Sequence, residues 1–187
     1  TSDALNVITK LNKDLLLYNG ILQVTMPRGL GWCFSSIGKH IERCLQTISM
    51  TQAYFSPINY NLEGEEDLMY WRRLLLSLSG YELYMKSYSN ISHNRKVAHQ
   101  VLFNKDFAHS VIYTLDFINT YLDSLFKDND LSEARTLLNQ FGRLKSYIEF
   151  TDYQHLSNQE LEDVLNNTKN QLIQFSTDFS KLFFSYT

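Results

Sequence analysis

Residues 31–54 read GWCFSSIGKHIERCLQTISMTQAY. Phe34, Ile37, Ile41, Leu45 and Ile48 recur in this stretch at intervals of three and four, the period of an α-helix. The opposite side is not a plain solvent face, because Trp32, Met50 and Tyr54 stand there beside Lys39 and Arg43. A helix apolar on both sides belongs in the middle of a bundle. Cys33 and Cys44 lie eleven positions apart on it, roughly 16 Å at 1.5 Å per residue. They cannot bridge each other, and both are expected to be buried, inert thiols on its apolar side.

Outward from this helix the pattern stays helical. Leu5, Ile8, Leu11, Leu15, Tyr18 and Leu22 mark an earlier amphipathic helix with Gly20 inside it. Pro27 and Pro57, the two prolines of the chain, fall where the period lapses and so separate helices instead of kinking them. After the acidic opening Glu65-Glu66-Asp67, the series Leu68, Trp71, Leu75, Leu78 predicts a third helix reaching towards Tyr88. Residues 90–106 are polar and broken, with a short helix expected over Lys96 to Phe103. Phe107, Val111, Leu115, Ile118, Leu122 and Leu125 give a clear helix next. Two capping boxes, Asp130-Leu131-Ser132-Glu133 and Ser157-Asn158-Gln159-Glu160, open the last two. No segment alternates as a strand does. The expected fold is all-α, a single domain over residues 1–187 with about six long helices and one short one.

The 187 residues suffice for one hydrophobic core. Seventeen basic and twenty acidic side chains leave a net charge of -3 without a basic patch, so nucleic acid is not an expected partner. No apolar run is long enough to span a bilayer and no signal peptide opens the chain, so a membrane partner is not expected and the protein is read as cytoplasmic. Asn90-Ile91-Ser92 and Asn166-Asn167-Thr168 are read as chance matches to glycosylation acceptors.

Catalytic signals are weak. His40, His93, His99, His109 and His155 show no pairing at the spacing of a helical zinc site, so neither metal nor other cofactor is expected. Arg28-Gly29-Leu30-Gly31 lacks the third glycine and the preceding strand of a dinucleotide loop and reads as a helix-entry turn. Glu149 and Asp152 form at most a weak acid/base pair on a solvated surface. The twelve tyrosines and twelve phenylalanines fall mainly on core stripes.

One segment carries a resemblance. Gly31, Trp32, Phe34, Gly38, Lys39, Ile41, Glu42 and Arg43 match the glycine, aromatic, basic and Glu-Arg pattern of the alpha-E domain family, bacterial helical proteins, with His40 where a second arginine is usual. Residues 103–113 resemble the family's later Asn-Pro-Arg-Ser-x-x-Tyr helix start, with Ser110 and Tyr113 in agreement and Ala108 and His109 replacing its proline and arginine. Tyr84-Met85-Lys86 resembles a degraded Tyr-Arg-Arg segment between them. Members are usually longer and carry another Glu-Arg motif near the N-terminus. That, and a first residue of Thr1, leads to the expectation that this chain is the C-terminal portion of such a protein.

The resemblance implies an accessory or interaction role in making or modifying a peptide, beside ATP-grasp peptide-ligase-like and transglutaminase-like partners. The alternative is an enzyme acting on an anionic or peptide substrate at Lys39, His40, Glu42, Arg43, His109 and Tyr113. A cleft formed by those six would favour the enzyme. Glu42, on the flank of the apolar stripe, is expected to pair with a neighbouring helix, and Arg43 to face a partner.

Overall fold

The computed structural model describes residues 2–88, 92–127 and 132–184. Among them are eight α-helices and no strand: α1 (Ser2–Thr25), α2 (Leu30–Phe55), α3 (Leu68–Ser77), α4 (Tyr81–Ser87), α5 (His93–Phe103), α6 (Val111–Phe126), α7 (Ser132–Glu149) and α8 (Asn158–Phe184). A single 3-10 turn, Ser56–Ile58, carries Pro57 and ends α2. The Asp130 capping box and the Asn90 acceptor motif lie largely outside the described residues.

The all-α bundle is organised around α2. It packs most extensively on α6 and also touches α3, α5 and α8. Ile37, Ile48, Cys44 and Phe55 from α2 are fully enclosed, with Leu115, Ile118 and Leu122 of α6. Phe141 and Phe175 meet as tilted rings, centroids 4.9 Å apart, where α7 meets α8. Ser157 and Glu160 form the expected capping box: Ser157 N donates to Glu160 Oε2 at 2.8 Å and Glu160 N to Ser157 Oγ at 3.3 Å.

Three expectations need correction. The expected third helix is two helices, because Ser79 takes a left-handed conformation (φ 56) and the chain restarts at Gly80. Gly80 is held in close approach: a Cβ there would stand 2.6 Å from Gln100 Nε2 and 2.7 Å from a Phe107 ring carbon. The short helix expected at Lys96 begins at His93. Its added turn is anchored by buried polarity, since Asn94 Oδ1 accepts from Trp71 Nε1 at 2.8 Å while Asn94 Nδ2 donates to Asn61 O at 2.7 Å. Arg95 pairs with Glu63 and donates to the carbonyls of Tyr153, Gln154 and Leu156, tying α5 to the loop before α8.

The third correction concerns α1, whose apolar stripe is not buried against the bundle. Ten of its large apolar side chains are between 51% and 86% exposed. Its C-terminal end alone touches α2: Lys39 Nζ reaches Asn19 Oδ1 at 3.4 Å, and Leu22 and Met26 are half-buried.

Candidate functional site

The six candidates sit on α2 and at the start of α6. Ser110 caps α6 by accepting from Tyr113 N at 3.1 Å. The tight turn before it, Asn104 to Ser110, presents two carbonyls to α2: Thr47 Oγ1 donates to His109 O at 2.9 Å and Arg43 Nη1 to Ala108 O at 3.3 Å. These bonds place His109 beside Arg43.

His40, one helical turn before Arg43 towards the α2 N-terminus, is 8% exposed. Its Nδ1 donates to Ser36 O at 2.7 Å, which fixes the neutral tautomer with Nε2 as acceptor. The imidazole lies flat on Phe117, centroids 5.3 Å apart and planes 5° from parallel, and Tyr121 closes in at 5.9 Å. Tyr113 joins by a tilted ring contact with Phe117 at 4.7 Å.

Charge on this face is one-sided. Lys39 and Arg43 have no carboxylate partner among the described residues. Burial holds the His40 pKa below its ordinary value, reinforced by Arg43 and Lys39 and opposed by the Ser36 bond. His109 is lowered by burial and then by Arg43. Both rings are therefore neutral near pH 7, and an anion arriving beside Arg43 would favour their protonated forms.

The structure brings His40, Arg43, His109 and Tyr113 onto one strip between α2 and α6. Lys39 stands at its margin, turned towards α1. Glu42 is not part of it. Glu42 is exposed and accepts from Gln46 Nε2 at 3.1 Å on its own helix, so the interhelical pairing expected for it is replaced by one from Arg43. Arg43 is the half-buried member because its longer side chain reaches the α6 entry turn.

None of the main clefts takes in more than one of the six. A cavity of about 40 Å³ between α1 and α2 takes in Lys39 and none of the other five. Clefts of about 360 Å³ and 540 Å³ open along α7 and α8 instead. A thiol nucleophile is also missing from the strip: Cys44 is fully buried with its pKa pushed up to about 12 by burial, and Cys33 is buried too. Among the described residues no group of three or more His, Cys, Asp or Glu is arranged to hold a metal ion. No helix there is long and apolar enough to cross a membrane.

Sequence reasoning passed over Thr47, Phe117 and Tyr121. The signal for the aromatics was present, since Tyr113, Phe117 and Tyr121 recur every four residues on α6. Thr47 gave none, because a threonine hydroxyl bonding to a distant turn has no local signature.

The model of the Alpha-E family, described as a predicted alpha-helical domain with a conserved ER motif, matches residues 1–184. No curated protein and no solved structure matches the chain.

Proposed function

Because the chain belongs to the Alpha-E family, we propose that it is a helical accessory or interaction domain of a peptide synthesis or modification system, working beside ATP-grasp ligase-like and transglutaminase-like partners. One observation supports this over catalysis within the chain. His40, Arg43, His109 and Tyr113 line a strip along α2 and α6, and Arg43 and, at the margin, Lys39 have no carboxylate partner among the described residues, a surface suited to docking another molecule and not to enclosing a substrate away from water.

In this reading Arg43 and Lys39 attract an acidic segment of the partner, while Phe117 and Tyr113 offer it an aromatic floor. Glu42 contributes little, being occupied with Gln46 in solvent. The test is calorimetric binding of the purified chain to a ligase-like or transglutaminase-like protein from the same genomic neighbourhood, with and without Lys39→Glu. Saturable binding weakened at least tenfold by the charge reversal is expected. Turnover of a peptide or anionic substrate by the chain alone, abolished by His40→Gln, would establish the enzyme reading instead.

A further inference from the structure

His40 is 8% exposed, yet one of its two ring nitrogens has no partner. Nδ1 is committed to Ser36 O at 2.7 Å, and because a carbonyl oxygen only accepts, a proton stays on Nδ1 whatever the charge of the ring. Nε2 of the neutral imidazole therefore carries a bare lone pair. It is not among the fully enclosed side-chain atoms left without a partner, which are Gln100 Oε1 and Thr168 Oγ1. The ring is closed on its Nδ1 side and open to a docked molecule at Nε2. A flip that offered a hydrogen there would abandon the Ser36 bond.

Cations and aromatics surround this edge. Burial first, and then the charges of Arg43 and Lys39 on the same helix, keep the ring neutral. The helix packed on the ring, α6, meets it with Phe117 and Tyr121, and Tyr113 adjoins Phe117. The acids of α6 are engaged elsewhere, Asp116 with Lys145 and Asp123 with Asn119. The entry turn adds His109, lowered by burial and then by Arg43. Among the described residues no carboxylate acts on His40.

An acidic ligand alters both conditions together. A carboxylate oxygen has no hydrogen to give, so it bonds to Nε2 only after that atom has gained a proton. A carboxylate beside Arg43 also offsets the repulsion that disfavours a positive ring. His40 and Arg43 are three positions apart on α2 and so are neighbours on its surface, within reach of one acidic side chain or of two in succession.

Resting on the reading of the strip as a docking surface for an acidic segment, we infer that docking is proton-linked: a partner carboxylate seats between Arg43 and His40, and a proton from solvent is taken up on His40 Nε2 in each complex. Mild acid then strengthens the complex, by up to about tenfold per pH unit between the titrations of the free and the bound ring.

Calorimetry with a short oligoglutamate peptide tests this at low salt, over roughly pH 6 to pH 8 where its carboxylates stay ionised, in buffers of different ionisation enthalpy. The parent chain should take up about one proton per peptide at the maximum and bind about tenfold or more tightly at the acid end. Its His40 ring, followed by NMR, should titrate at higher pH with the peptide than without. His40→Gln should bind without proton uptake; the ring titration of the parent decides the matter even where that variant unfolds. Binding that Lys39→Glu weakens but that takes up no proton, uptake that persists in His40→Gln, or an unmoved His40 titration would overturn the inference and leave the docking reading standing. No saturable binding at any pH would overturn both.

Discussion

Helices α1 and α2 are almost equal in length and are joined by a short turn at Pro27, yet they meet opposite surroundings. In α2 the positions Ile37, Ile41, Cys44 and Ile48 are closed in by α6 and α8, and even polar Thr47 and Thr51 are fully buried. In α1 the same kind of side chain at the same spacing faces solvent. Periodicity therefore reports that a helix has an apolar face, not that its own chain supplies the cover. The α2 face is covered from within the domain; the α1 face is left uncovered by the described residues.

The sharpest contrast should come from matched truncations. Ile41→Ala in α2 is expected to cost about 2–5 kcal/mol, the range for emptying a packed aliphatic site. Leu16→Ala, at a position 74% exposed, is expected to stay within about 0.5 kcal/mol. Chemical denaturation of both variants at one dilute concentration measures the difference. Equal losses would mean that α1 is packed after all.

A smaller effect is expected at Gly80, where the chain turns into α4 against Gln100 and Phe107. Gly80→Ala should destabilise by about 1–3 kcal/mol through overpacking, read as a lowered denaturant midpoint. This junction also explains why one expected helix became two. Leu68, Trp71, Leu75 and Leu78 run on without a break in period, and what interrupts them is a contact with residues twenty or more positions away.

Acidity should weaken the bundle through its histidines. The folded pKa values of His40, His99 and His109 lie below the ordinary 6.5, chiefly from burial. The unfolded chain therefore takes up protons first, and stability is complete above pH 6.5 and falls as the pH drops through that value towards the folded pKa values. The lowered carboxylates, Glu149 beside Lys105 and Lys145 and Glu160 beside Ser157, add a separate loss only below their ordinary 4.5. Denaturation midpoints recorded from pH 8 to pH 4 check the sequence of losses. Arg43→Ala should move the histidine-dependent loss to lower stakes by raising the His40 and His109 titrations, visible by NMR.

The smallest effect belongs to the acidic half of the Glu-Arg pair. Glu42→Ala should change stability by no more than about 0.5 kcal/mol, as for an exposed residue with one intrahelical bond. A loss of several kcal/mol would restore the buried ion pair that the sequence suggested.

Much of this fold could be read in advance for physical reasons. The α2 stripe, apolar on two sides, announced a central helix, and Ser157 with Glu160 announced the start of α8. What could not be read were interactions that join distant segments. Asn94, Arg95 and Gln100 look like surface residues in sequence, but they satisfy carbonyls and an indole inside the bundle. The roles of Glu42 and Arg43 could not be assigned from helical angle alone, because the deciding contact is the carbonyl of Ala108 on the turn before α6.

Native-state hydrogen exchange on dilute protein tests the contrast between α1 and α2 most directly. Amides in the middle of α2, around Ile41 to Ile48, should exchange only through global unfolding, whereas those of α1 around Ile8 to Leu17 should exchange orders of magnitude faster. Protection in α1 equal to that in α2 at the lowest concentration would contradict the account.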